Sequence, residues 1–233
     1  MSTTSYNLTP DPVLRVAIEI ISAVACFILI RFMMEPYRIT GEGRYIGLPL
    51  GFGFLGASFA ISAVTYAQLL SNSVMLWFFQ LIIRAFAFIF LAIAYYFSNK
   101  PFNNRNLIFN FAFSGLLIFL ATSVILIFIA PQISSDNYII LNFGVRLESL
   151  ICILYIFIHC TREQMKEPDQ NLRWILVGYA LLGLSQFSSL VWIFYVSNLV
   201  FWVSLTFRLM SLSVFLFVMY KIFYKKKKKG CEN

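Results

Sequence analysis

Residues 74–98, VMLWFFQLIIRAFAFIFLAIAYYFS, decide the fold. The stretch is apolar throughout except for Gln80 and one charge, Arg84, about ten residues in. A helix of about 20 apolar residues crosses the hydrocarbon core of a bilayer. The alternation of polar and apolar residues that a membrane β-barrel needs is missing. Arg84 then falls near the midplane, where a charge costs about 2.5–3.5 kcal/mol even on the mildest scale. Such a helix needs neighbours that shelter its charge.

Six further stretches share the pattern: Val13–Met34, Ile46–Leu70, Leu107–Ala130, Tyr138–Cys160, Leu172–Val196 and Leu199–Phe223. The whole chain of 233 residues is 60% hydrophobic and 12% charged, with a mean hydropathy of +0.80. Soluble domains carry roughly 45–50% apolar and about 25% charged residues. The composition therefore excludes a soluble globular, a disordered or a collagen-like chain. It predicts an all-α membrane protein: an N-terminal arm over 1–12, seven transmembrane helices over 13–224, and a basic tail over 225–233. The first span is too long for a signal-peptide core of about 7–15 residues, and no basic segment precedes it. The longest connections, Glu35–Tyr45 and Thr161–Asn171, are too short for a folded domain of about 50 residues. Most of the 26 phenylalanines are expected to face lipid.

Orientation follows from the basic residues. Arg31 at the inner end of the first span is followed by Arg38 and Arg44, Lys100 and Arg105 follow the third, and Arg162 and Lys166 follow the fifth, with Arg173 at the start of the sixth. Lys221 ends the seventh, followed by Lys225, Lys226, Lys227, Lys228 and Lys229. The opposite connections carry no lysine or arginine. This asymmetry predicts an outer N-terminus, a cytoplasmic C-terminus and a multi-pass place in the cell membrane. The net charge of +8 then reflects topology, and no nucleic-acid partner is expected. The lysine run either contacts anionic lipid headgroups, at about 1 kcal/mol per residue near the surface, or serves as a stop-transfer anchor. Asn7-Leu8-Thr9 is a glycosylation sequon on the outer arm. Cys26, Cys152, Cys160 and Cys231 all lie in spans or on the inner side, without CxxC spacing, so neither a disulfide nor a metal is expected. No cofactor motif is present.

The spans fall into a 3+1+3 pattern, with parallel units over about 13–100 and 138–224 and a linker helix over 107–130. Arg15 and Glu19 in the first unit match Arg146 and Glu148 in the second. Gly56-Ala57-Ser58 matches Gly183-Leu184-Ser185. Leu81-Ile82-Ile83-Arg84 matches Leu205-Thr206-Phe207-Arg208, each with a tyrosine twelve residues on, Tyr96 and Tyr220.

Arg84, Arg208, Glu19 and Glu148 fall at similar depths in the middle or outer half of the membrane. The economical pairing sets Glu19 against Arg84 and Glu148 against Arg208. Arg15 lies one turn above Glu19, whereas Arg146 and Glu148, two residues apart, cannot share a face. Gln80 and Gln186 add polar groups nearby. One reading is an outward-facing pocket for a small polar or anionic ligand. The other is a pair of structural ion pairs with Arg15 reaching up to the headgroups. His159 is expected at the solvated edge of the fifth helix. The small residues of the second helix, among them Gly51, Gly53 and Gly56, are expected to let neighbouring backbones approach closely.

Several function classes fail on their residues. No lysine lies deep in a span to hold retinal, and Arg208 occupies that depth in the seventh helix. The third helix ends Tyr95-Tyr96-Phe97-Ser98, without the Asp-Arg-Tyr of G-protein-coupled receptors. Prolines sit only at span edges, so the broken helices of many transporters are not indicated. No intramembrane protease motif occurs, and no enzymatic activity is expected. The helix count, the topology, and Arg84 and Arg208 in apolar third and seventh helices that end in tyrosine give a resemblance. The chain resembles the seven-helix N-terminal sensor regions of prokaryotic membrane histidine kinases. It departs from them after Tyr224, where no dimerisation helix, phosphoacceptor histidine or ATP-binding domain follows. The resemblance implies a receptor, sensor or membrane adaptor that signals through a separate cytoplasmic or membrane partner. A small-solute transporter and a structural subunit of a membrane complex are the alternatives.

Overall fold

The structure, a computed structural model, describes residues 12–40, 46–67, 74–98, 105–129, 135–166, 168–195 and 197–230. The described residues form seven helices and no strand: α1 (Pro12–Thr40), α2 (Gly47–Tyr66), α3 (Val74–Ser98), α4 (Arg105–Ile129), α5 (Ser135–Lys166), α6 (Gln170–Phe194) and α7 (Asn198–Gly230). Six of them, all but α4, are long and apolar enough to cross a membrane. In α4 the described apolar part is Asn110–Ile125. Helices are what such sequences must form, because a lipid-exposed backbone has to satisfy its polar groups internally. Local signals set some boundaries. Pro49 sits in the first turn of α2, where its missing N–H costs nothing. Asp169 caps α6 by accepting from the Asn171 backbone N–H at 3.1 Å. The sequon at Asn7 and the side chains of Lys225 to Lys229 lie outside the described residues.

The helices close a ring in the order α1–α2–α3–α5–α6–α7, with α7 returning to α1. Side-chain contacts give the directions. Arg15 meets Tyr66 while Cys26 meets Gly56, so α1 and α2 are antiparallel. Trp77 meets Tyr138 and Tyr95 meets His159, so α3 and α5 run parallel. The helix α4 stands outside the ring against α3, through Phe113 on Phe90 (4.9 Å between ring centroids) and Phe119 on Phe86 (5.6 Å). None of its described residues is buried.

Along its axis the ring has two different halves. Toward the C-terminal ends of α3, α5 and α7 it is filled by a dry core of Leu29, Phe52, Leu55, Leu91, Ile156, Leu182 and Phe215. The Phe215 ring packs edge-on against Tyr179 at 4.9 Å and Phe52 at 5.5 Å. Phenylalanines such as Phe52, Phe88, Phe90 and Phe215 thus build part of the interior, while others, among them Phe27, Phe111 and Phe187, are exposed on the outer faces. Lipid gives apolar helices little reason to associate, so close packing has to hold them. Two glycines allow it. A Cβ on Gly51 would lie 2.6 Å from the Leu91 side chain, and one on Gly178 2.7 Å from the Phe215 ring. Gly56 likewise lies against Cys26. Gly53, by contrast, leaves ordinary space beside Ile30.

Candidate functional site

The other half of the ring, toward the N-terminal ends of α1, α3, α5 and α7, is polar and encloses a cavity of about 70 Å³. Each ring helix contributes a stripe at helical spacing. From α1 come Arg15 and Glu19, from α2 Ser62 and Tyr66, and from α3 Trp77, Gln80 and Arg84. Tyr138, Asn142 and Arg146 follow on α5, then Ser185, Gln186, Ser189 and Trp192 on α6, and Phe201, Ser204 and Arg208 on α7. Residues three, four or seven apart share a helix face, so these spacings bring each stripe inward together.

Seven of the eight residues singled out from the sequence line this cavity: Arg15, Glu19, Gln80, Arg84, Arg146, Gln186 and Arg208. Glu148 does not. Two residues beyond Arg146 is about 200° around a helix, so Arg146 takes the inward face and Glu148 is turned away. Its carboxylate accepts from the Cys152 thiol at 3.2 Å, and among the described residues it makes no ion pair.

The pairing also differs from the expected one. Glu19 meets Arg208 at 3.0 Å across the α1–α7 seam, with both side chains under a tenth exposed. Arg84 is held instead by α2, its Nε donating to Ser58 Oγ at 3.2 Å. The cause is the closure of the ring. The helix α1 neighbours α2 and α7, so Arg208 comes to its carboxylate directly. Arg15 is buried rather than at the headgroups: its guanidinium lies over the rings of Tyr66 (3.3 Å) and Phe201 (4.6 Å) and donates to the Tyr66 hydroxyl. Phe59 lies beneath two more cations, with Arg208 at 4.5 Å and Arg84 at 5.4 Å from its ring centre. Such contacts are worth about 2 kcal/mol when desolvated. Arg146 Nη1 donates to Gln186 Oε1 at 2.7 Å. Gln80 donates to Ser62 Oγ at 3.1 Å.

Among the described residues the balance leaves four guanidiniums against one carboxylate in a buried space. Arg15 Nε, Arg84 Nη2, Arg146 Nε and Arg208 Nε are buried without a hydrogen-bond partner among the described residues. Asn142 Oδ1 and Gln80 Oε1 are likewise buried and unbonded. Such groups are rare in proteins and each costs about 1–3 kcal/mol. Packing alone would not call for three arginines beyond the ion pair. The arrangement can solvate and hold a small polar or negatively charged group. Among the described residues no group of three or more His, Cys, Asp and Glu could hold a metal. Gln80 and Gln186 stand out in the sequence, whereas Tyr66, Tyr138, Asn142, Phe201 and Ser204 do not. Stepping back four residues from each arginine would have found some of them: Asn142 and Tyr138 before Arg146, and Ser204 before Arg208.

Set against protein-family models, curated proteins and solved structures, the chain matches none of them.

Proposed function

We propose that this protein is a non-enzymatic, seven-span cell-membrane receptor or sensor that binds a small polar ligand in the arginine-lined cavity. The observation that carries the reading is the one-sided interior. A polar cavity with unmet hydrogen-bonding capacity occupies one half of the ring, and a dry aromatic core fills the other. A ligand that meets those groups stabilises the surrounding helices and can shift their packing, which a partner then reads. With the N-terminus outside, as the distribution of lysine and arginine supports, the cavity lies in the outer leaflet. The basic connections and the lysine run then face cytoplasmic partners and anionic lipid. The resemblance to kinase sensor regions fits the same role, with signalling through a separate partner.

Paired contacts support two parallel three-helix units joined by α4. Gly51 abuts Leu91, and Gly178 abuts Phe215. Gln80 bonds Ser62 at 3.1 Å, and Ser204 bonds Ser189 at 2.6 Å. Ser22 and Ser149 each donate to the carbonyl four residues back. One shift of 127 residues relates α1 and α2 to α5 and α6, and one of 124 relates α3 to α7. The peripheral seat of α4 suits a linker.

The second reading, a small-solute transporter, is favoured by the position of the cavity between these two units, where transporters of repeat architecture hold their substrates. Thermal-shift screening of small polar compounds, run beside uptake into proteoliposomes, separates the two. The sensor reading expects stabilisation without uptake. Uptake of a stabilising compound supports the transporter, and no stabilisation by any compound contradicts a ligand site.

A further inference from the structure

The two halves of the cavity differ in charge at matched positions. Aligning Ser22 with Ser149 sets Glu19 on α1 against Arg146 on α5, and Arg15 against Asn142, in place of the matches of Arg15 and Glu19 with Arg146 and Glu148 expected from the sequence. The neighbouring arginines, Arg208 on α7 and Arg84 on α3, also match. In one half the carboxylate of Glu19 therefore meets Arg208 at 3.0 Å. In the other, Arg146 stands where a carboxylate would, and it shares the cavity wall with Arg84. Both lie about two turns inward of the Trp77–Tyr138 contact on parallel neighbouring helices. Among the described residues each keeps a buried N–H without a partner, Nη2 on Arg84 and Nε on Arg146, and both residues line the cavity.

We infer that the cavity takes a compact oxyanion, a carboxylate or a small inorganic oxyanion, whose negative group lies between Arg84 and Arg146 as Glu19 lies beside Arg208. The inference rests on the proposed ligand site and names its ligand class. Guanidinium N–H groups match planar oxyanions and bind them through charge-assisted hydrogen bonds. Asn142 and Gln80 turn unbonded amide oxygens into the same space, so a ligand with a hydroxyl or ammonium beside its anionic group meets them too. A cavity of about 70 Å³ holds about five water-sized groups, which limits the ligand to a few heavy atoms. A lipid headgroup carries the same chemistry as a free oxyanion, and the lipid composition and added salts of the test separate the two sources.

The test is thermal unfolding of the full chain in zwitterionic nanodiscs, with sodium acetate, nitrate and phosphate against choline chloride and glycerol at matched ionic strength. At a hundredfold excess over Kd, at least one oxyanion is expected to raise Tm by roughly 5–10 °C. Arg146→Gln weakens that response by at least roughly tenfold in Kd. Arg146→Glu, which rebuilds a Glu19-like pair with Arg84, raises the ligand-free Tm and abolishes the response. Glu148→Gln, turned away from the cavity, retains it. Stabilisation by glycerol or choline alone overturns the oxyanion while leaving a ligand site standing. Silence of the whole panel and of the wider polar screen overturns both. An undiminished response in Arg146→Gln, or stabilisation only when anionic lipid replaces part of the zwitterionic lipid in a parallel set of nanodiscs, overturns the inference.

Discussion

Glu19 on α1 and Arg208 on α7, 189 positions apart in the chain, form a buried ion pair at 3.0 Å that closes the helix ring. Removing one member of such a pair leaves an uncompensated charge and costs about 3–5 kcal/mol. Glu19→Gln and Arg208→Gln are each expected to lower stability by about that amount in detergent unfolding. The double variant should lose clearly less than the sum. The same cycle with Arg84→Gln, which Ser58 holds, should lie nearer additivity. Equal coupling in the two cycles would remove the pair's special place.

Gly51 and Gly178 set how closely the interior packs. Gly51→Ala and Gly178→Ala each force a methyl to within 3 Å of Leu91 or Phe215 and should cost about 1–3 kcal/mol. Gly115 and Gly144 have nothing within 4 Å of an added Cβ. Gly115→Ala should be neutral or stabilise by up to about 1 kcal/mol, because alanine holds a helix better than glycine. Melting temperatures of the three variants decide the matter, and three equal losses would contradict the packing argument.

Tyr66 serves Arg15 twice, through its ring face and its hydroxyl. Tyr66→Phe should lose about 1 kcal/mol, the hydrogen bond alone. Tyr66→Leu should lose about 1–2 kcal/mol more, because the cation–π contact goes as well. A Phe variant as unstable as the Leu variant would mean that the ring face contributes nothing.

Six of the spans and most of the cavity's charged residues were legible in the sequence for one reason. A charge within an apolar helix is so costly that its presence marks an interior face, and Arg84, Arg146 and Arg208 line the cavity accordingly. Pairing was not legible, because it depends on which helices become neighbours. The seam between α1 and α7 is a property of the closed ring, and no local pattern in Val13–Met34 announces it. Glu148 illustrates the same limit. It looked like a second acid for the cluster, but the helix can present only one of Arg146 and Glu148 inward. The neutral lining, such as Asn142 and Ser204, escaped notice because serine and asparagine are inexpensive enough to occur anywhere in a span.

Orientation has its own check. With the C-terminus cytoplasmic, Cys231 should react with a membrane-impermeant maleimide only after right-side-out vesicles are permeabilised. Cys26 and Cys160 are buried and should stay unlabelled until the protein unfolds. Labelling of Cys231 in sealed vesicles would invert the topology.

The central claim is that the cavity concentrates small anions, and Trp77 and Trp192 in its lining report on it directly. In zwitterionic nanodiscs, with Trp174 and Trp202 replaced by phenylalanine, fluorescence quenching by iodide should exceed that by caesium several-fold at equal ionic strength. Arg84→Gln combined with Arg146→Gln should erase the difference. Equal quenching by the two ions, or stronger quenching by caesium, would contradict the account.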